Sequence, residues 1–290
     1  MTGREAFHSA ALADIGALRA RHPAVFGADW AGRAARVAVG ALLLGLTVLA
    51  VARLDLAPAR VWRGLGELGS IAGMMLPPVP KSMDQARLFL AALAETVAIA
   101  FLGTLAGAVL AFPLALMGAR NTTVGWIARL LARRTSDTIR AIDQLIWALI
   151  WVSVVGLGPF AGVLAVATAD IGSLSKLFSE TLETADRKPV EGVVSAGGDR
   201  AQAIRFGVLP QVLPTMLGQA LYFFESNTRS STIIGIVGAG GIGLHLSEQV
   251  RTLEFQSVGF IVLSILTVVA AIDWLSGVLR RAAIGAAPRG

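Results

Sequence analysis

Six stretches of the chain are almost uniformly apolar, at residues 34–52, 88–118, 141–155, 160–178, 211–228 and 258–279. They read as transmembrane helices, because about 20 apolar residues at 1.5 Å each cover a hydrocarbon core of about 30 Å. They lack the alternation of outer-membrane barrel strands. Between the first two runs, residues 53–87 mix charges with Pro77, Pro78 and Pro80, which predicts an extended outer segment; its apolar patch at 71–76 is too short to span. Residues 124–131 predict a segment dipping into the interface, and the uncharged Gly156-Leu-Gly-Pro159 predicts a tight turn between the third and fourth spans. In the second run Gly103 and Gly107 lie four apart, a spacing suited to close helix contact, and Pro113 predicts a kink near its end.

One polar island, about 180–210, interrupts the apolar pattern and still carries helix signals. Pro189 suits a first helical turn, Gly197-Gly198 breaks the helix, and Asp199 restarts it as an N-cap with Gln202 at capping-box spacing. Leu209-Pro210 closes the unit. The pattern is that of two short helices, either a structured connecting loop or a knob presented to a partner. Val190, Val193 and Val194 form its apolar face, and burying each would contribute roughly 1.5–3 kcal/mol.

Composition agrees with an integral membrane protein: 55% of the 290 residues are hydrophobic and 15% charged, and the mean hydropathy is +0.69. Soluble domains carry about 25% charged residues. The net charge of +6 does not point to nucleic acid, since the basic residues flank the spans. Arg4, Arg19, Arg21, Arg33, Arg36, the arginines of 120–140, Arg187, Lys188, Arg200, Arg205, Arg280, Arg281 and Arg289 fall on one side. The smaller set, Arg53, Arg60, Arg63, Lys81, Arg87, Arg229 and Arg251, falls on the other. The richer side is expected to be cytoplasmic, with both termini and the island. Ala50-Val51-Ala52 has the spacing of a signal cleavage site, but the polar stretch 1–33 is long for a leader, so the first run reads as an uncleaved anchor.

The chain has no cysteine, and His8, His22 and His245 have no partner at metal-ligand spacing. None of Lys81, Lys176 and Lys188 follows glycine, so no phosphate-cradling G-x-x-x-x-G-K-[ST] loop exists, and the hydrolase motifs G-x-S-x-G and H-E-x-x-H are also absent. Gly238-Ala-Gly240-Gly241-Ile-Gly243 satisfies G-x-G-x-x-G without a βαβ context; it reads as a small-residue turn where backbones approach closely.

Each charge within a span costs roughly 2.5–3.5 kcal/mol on insertion scales, so Glu95, Asp143, Asp170 and Glu225 call for explanation. Glu225 and Arg229, four apart, share a helix face. With Ser226, Asn227, Ser230, Ser231 and Thr232 they place donors and one guanidinium near the outer mouth. That set suits an anionic, oxygen-rich solute, or it satisfies a broken helix end. Trp147 and Trp151, four apart on the third span, read as packing or interface anchors.

The island resembles the cytoplasmic loop of bacterial ABC-importer permeases, whose signature runs E-A-A, three residues, Gly, nine residues, Ile, one residue, Leu-Pro. Glu191, Gly197, Leu209 and Pro210 hold these positions; Gly192 and Val193 replace the alanines and Gly207 the isoleucine. Residues 140–150, 155–160, 207–214 and 224–243 resemble the phosphonate-importer subgroup, and the likeness covers about 88–281.

This resemblance implies an all-α integral membrane protein with a six-helix type I ABC-importer permease fold in the bacterial inner membrane. It divides the chain into a cytoplasmic tail 1–33, a first transmembrane helix 34–52, an extracytoplasmic segment 53–87, a permease domain 88–281 and a C-terminal tail 282–290. It implies a second permease subunit, two cytoplasmic ATPases that hold ATP and magnesium, and an extracytoplasmic solute-binding protein. This chain itself is expected to bind no cofactor and to be non-catalytic. Glu191, Gly192, Gly197, Gly198, Asp199, Leu209 and Pro210 are expected to couple to the ATPases. Glu225, Asn227, Arg229, Ser230, Ser231, Gly238, Gly240 and Gly241 are expected along the translocation path or outer gate. The implied solute is a phosphonate or a related oxyanion, phosphate or phosphite. A permease for another solute such as methionine, an ATP-independent transporter and a membrane enzyme are the rival readings.

Overall fold

A computed structural model describes residues 30–54, 58–123 and 125–285, and these fold into helices and turns. The described residues form two compact units, divided between Gly69 and Ser70. The first holds α1 (Trp30–Arg53) and most of α2 (Pro58–Met74). From Arg33 onward α1 is exposed on every side, as expected of a helix whose surroundings are lipid or another chain. The expectation of an extended segment at 53–87 is corrected: α2 is a 17-residue helix. Val61, Trp62, Leu65, Leu68 and Ile71 recur at helical spacing between its charges, a period the charged residues disguise.

The second unit is organised on α3 (Met83–Gly118), capped at its start by Ser82, whose hydroxyl accepts from Gln85 N. Beside it lies α6 (Pro159–Glu183). The two run parallel. A Cβ on Gly103 would stand 2.5 Å from Val166 Cβ, and one on Gly107 2.6 Å from Asp170 Cβ. Further along, Gly118 faces Ser179. Helices of a bundle in lipid gain little from hydrophobicity and associate through such close backbone approach. Three apolar layers follow along α3. The first gathers Phe89, Leu93, Ile242 and Ile261. The second gathers Ile99, Ala148, Val166 and Ile234. The third gathers Ala111, Ala115, Leu174, Phe178, Leu182, Val212 and Met216.

The third expected span takes another form. Only α5 (Gln144–Val155) occupies it, and 12 residues give about 18 Å, too short to cross. It joins α4 (Trp126–Arg140) at an 87° bend. Asp143 makes the break, its carboxylate accepting from Leu145 N at 2.8 Å. Trp151 Nε1 donates to Thr168 Oγ1 at 3.0 Å and Trp147 Nε1 to Ile139 O at 3.4 Å, so both tryptophans pack within the bundle. Of the expected interfacial stretch 124–131, Val124 lies outside the described residues and the rest begins α4. The uncharged turn before α6 has positive φ at Gly156 and Gly158.

After α6 come α7 (Arg187–Ser195), a single turn α8 (Arg200–Gln202), a π-helical turn (Ala203–Val208) and α9 (Leu209–Ile236). The chain ends in α10 (Ile242–Arg251) and α11 (Phe255–Gly285). Among the described residues four helices are long and apolar enough to cross a membrane, and the count reaches five only where the bent α4–α5 pair is taken as one span. The fifth expected span, 211–228, falls within α9. That helix has 28 residues, enough to cross, but polar side chains lower its hydropathy.

The α3–α6 approach leaves no room for a side chain. Replacing Gly103 by Leu should cost about 1–3 kcal/mol through overpacking and lower the thermal unfolding midpoint of the solubilised protein. Gly45→Leu, with nothing nearby on α1, should leave the midpoint unchanged.

Candidate functional site

The polar island folds largely as its capping signals predict. Asp186 caps α7, accepting from Lys188 N at 3.2 Å. Gly197, at φ +88°, ends the unit in the left-handed region that favours glycine, and Gly198 N donates to Val193 O at 3.0 Å. Asp199 and Gln202 form the reciprocal capping box: Gln202 N donates to Asp199 Oδ1 at 2.7 Å and Asp199 N to Gln202 Oε1 at 3.0 Å.

Two expectations change. Leu209-Pro210 does not close the unit but starts α9, with α8 and the π turn running straight into it. Pro210 has no N–H for the carbonyl one turn back, and its ring crowds that carbonyl, so the preceding turn widens. Leu209 N then donates to Ile204 O, five residues back. The widened turn brings Gly207 against α7, where a Cβ would stand 2.9 Å from Val190 Cα. That contact accounts for glycine where the signature has isoleucine. It also changes the apolar face: Val190 packs inward on the core layer of Leu182 and Met216, Val193 is half-buried, and only Val194 stands exposed. Glu191 and Gly192 face open space.

Side chains invisible to a local reading tie this knob to the bundle. Asp186 N donates to Gln211 Oε1 at 3.0 Å while Gln211 Nε2 donates to Asp186 O at 3.2 Å, joining the start of α7 to the first turn of α9. The Arg200 guanidinium donates to the carbonyls of Thr122 and Thr123 in the α3–α4 link. Glu183, at the end of α6, pairs with Arg133 at 2.7 Å and accepts from Arg120 N at 2.8 Å. A groove of about 770 Å³ runs beside α7, bordered by Glu183, Arg187, Glu191, Val194 and Arg200.

The second cluster lies along α9. Asn227 Nδ2 donates to Asp170 Oδ2 at 2.6 Å and to Thr104 Oγ1 at 2.8 Å, all three residues being buried. Gly107 makes the room for Asp170. Two residues before Asn227, Glu225 accepts from Arg229 at 3.0 Å, the pair that the four-residue spacing predicts, and from Arg280 of α11 at 3.3 Å. Tyr222 and Arg229 are exposed, and Ser226 and Ser230 half-buried, on the uncovered side of α9. Ser231 is fully buried, its hydroxyl without a protein partner. These groups were expected near the outer mouth and lie deeper. Asn227 is level with the middles of α3 and α6, and Glu225 reaches the last turns of α11. The helix continues past Thr228 to Ile236, about 12 Å further.

The glycine-rich segment is a turn between α9 and α10, with positive φ at Gly238, Gly240 and Gly241. It packs on the α5–α6 turn, where Gly158 N donates to Gly238 O at 2.9 Å. Glu95 Oε1 accepts from Gly241 N at 2.9 Å and Thr96 Oγ1 from Ile242 N at 2.8 Å. The acid on the second span thus satisfies the start of α10.

Residues 111–284 match the family described as "binding-protein-dependent transport system inner membrane component". The chain belongs to this family. It is 37% identical over 253 residues to the "putative phosphite transport system permease protein HtxC" of Stutzerimonas stutzeri, covering 87% of this chain and 88% of that protein. It is 39% identical over 248 residues to the "phosphate-import permease protein PhnE" of Mycolicibacterium smegmatis, covering 86% of this chain and 46% of that protein. A structure titled "Inward facing conformations of the MetNI methionine ABC transporter" superposes with a TM-score of 0.61 at 20% identity, over 70% of this chain and 99% of that one, a likeness of fold alone.

The family match takes in the knob, α9 and α11, and so every residue of the two polar clusters except Thr104. Glu95 and Thr96, which hold the glycine turn, also lie ahead of it. Within this transport-system component, Gly207→Val should separate α7 from the π turn. Hydrogen exchange of the amides of 187–195 should accelerate at least tenfold, while Gly192→Val, in open space, should leave it unchanged.

Proposed function

We propose that this chain is the pore-forming permease of an ATP-driven importer for a phosphorus oxyanion, namely phosphonate, phosphite or phosphate. The observation that carries this reading is the similarity, over nearly the full chain, to permeases named for phosphite and phosphate transport. The methionine alternative has only a fold likeness at 20% identity behind it. A long helix with a polar, uncovered face at mid-depth is also what a path for a hydrated anion requires. α9 carries Tyr222, Ser226, Arg229 and Ser230 on such a face. ATP is hydrolysed by separate cytoplasmic subunits, and an extracytoplasmic binding protein delivers the solute. A second permease copy or a sister chain completes the pore. Support for pairing comes from the phosphate-import relative, of whose length this chain covers 46%. Both termini and the knob face the cytoplasm, following the distribution of arginine and lysine.

The knob would work as a lever. The ATPase grips α7 at Glu191 and Val194, beside the groove. The paired hydrogen bonds between Asp186 and Gln211 pass displacement of α7 to the first turn of α9, whose far half carries the polar face. The short π turn between them is a natural place to absorb rotation, since π turns trade one hydrogen-bond register for another.

Two outcomes test this function. Gly197→Leu forces a branched side chain into the left-handed region, at about 1–2 kcal/mol, and tilts the lever. Uptake of radiolabelled phosphonate or phosphate by cells carrying the full transporter should fall at least tenfold with the permease still inserted and assembled; undiminished uptake would refute coupling through this joint. Arg229→Ala should lower oxyanion uptake several-fold without loss of assembly, and wild-type uptake would reduce Arg229 to the partner of Glu225.

A further inference from the structure

The elbow between α4 and α5 opens onto a cleft of about 250 Å³, bordered by Arg140, Asp143, Asp170, Ser173, Ser226 and Ser230. It lies at mid-depth, since Gly172 of α6 packs against Arg140 and the floor is the Asp170–Asn227 pair. A helix broken inside a bundle is tolerated where it lines a cavity, and such breaks commonly border ion and substrate sites.

The polar groups around this cleft are not used up by the protein. Many helical hydroxyls elsewhere return to the carbonyl four residues back, as at Thr96, Ser136, Ser153, Thr168, Thr181, Thr228 and Ser264, although Ser231, Thr232 and Ser257 do not. Among the described residues Ser173, Ser226 and Ser230 make no such bond and line the cleft. Arg140 spends its Nε on Asp137 at 3.0 Å, and its two terminal nitrogens remain open. Gln144, also on the cleft wall, has a buried Nε2 with no acceptor. Asp143 spends one oxygen on the start of α5. Asp170 is buried, holds Asn227, and has no ion pair among the described residues.

Donors at the rim and a carboxylate at the floor suit one class of ligand. A guanidinium and hydroxyls attract a tetrahedral oxyanion. A carboxylate repels it unless the ligand brings its own hydroxyl hydrogen to donate. Singly protonated phosphate and phosphonate carry a P–OH group; sulfate at neutral pH carries none. A site that hydrogen-bonds a ligand hydroxyl rejects the analogue lacking it, because its own polar group is then left unpaired. We propose that this cleft is an intramembrane stopping point for protonated phosphorus oxyanions, and that Asp170 is the residue that discriminates them from sulfate. The proposal rests on the importer reading and adds a selectivity step within the permease, separate from that of the binding protein.

The test uses the assembled transporter, permease with its ATPases, in lipid nanodiscs without binding protein. Methylphosphonate is the probe, followed by exchange broadening of its phosphorus-31 resonance. The wild-type complex should broaden the line, and phosphate should reverse the broadening at about tenfold lower concentration than sulfate. In Asp170→Asn, which keeps an acceptor for Asn227, sulfate should compete about as well as phosphate. Arg140→Gln should weaken the broadening about tenfold. Should Asp170→Asn fail to assemble, Ser226→Ala with Ser230→Ala, on the uncovered face, should weaken it in the same way. Absence of broadening, equal competition by sulfate in the wild type, or retained discrimination in Asp170→Asn would overturn the stopping point. Binding-protein-dependent uptake separates the two readings. If the wild type takes up phosphonate while any of those results holds, only the stopping point falls. If it takes up no phosphorus oxyanion, both fall.

Discussion

The close approach of α3 to α6 at Gly103 and Gly107 decides where the polar groups of the bundle can sit. Because a Cβ at Gly107 would collide with Asp170, its absence lets that carboxylate enter the seam between the two helices. Asn227 of α9 and Thr104 of α3 meet there. An acid in a membrane helix is expensive, and three helices locked by its hydrogen bonds recover part of the cost. The same register sets the other levels of the bundle, with Glu95 and Thr96 under the glycine turn and Glu183 beside Arg120 and Arg133.

A second constraint is mechanical. The chain passes from α7 to α9 without a flexible linker: a glycine joint, a capping box and a π turn follow one another directly. Gly207 seats α7 on the π turn, and Gln211 binds the start of α7 to the start of α9. An element gripped from outside can move a helix inside the membrane only if the parts between are stiff, and here they are short and hydrogen-bonded. The isoleucine missing from the signature is therefore a packing adjustment, since the position faces Val190.

The acids inside the spans have different physical roles. Glu95 accepts from the backbone at the start of α10, and Asp143 caps the broken α5. Glu225 bridges two arginines from different helices. Among the described residues Asp170 neither satisfies a helix start nor pairs with a cation; it holds Asn227 and borders a cleft whose hydroxyls are unspent, which separates it from the other three.

Local physics made much of the protein legible. Apolar length gave four spanning helices, and the capping residues gave α7 and the Asp199–Gln202 box. Spacing alone paired Glu225 with Arg229 and marked the close contact of Gly103 and Gly107. Each of these depends on residues a few positions apart, whose relation any helix enforces. Tertiary structure decided the rest. The disguised helix at Pro58–Met74, the bend that turns the third span into a broken pair and the extension of α9 to Ile236 all depend on what packs alongside. So do the bonds of Gln211 to Asp186, Arg200 to the α3–α4 link, Arg280 to Glu225 and Asn227 to Asp170, which join residues 25 to 78 positions apart. The sequence determined that this is a helical membrane protein of a permease family with a capped knob. Only the packed bundle decided which polar groups hold it together and which were left free to meet a ligand, because a hydrogen bond between distant helices exists only once their backbones are brought within reach.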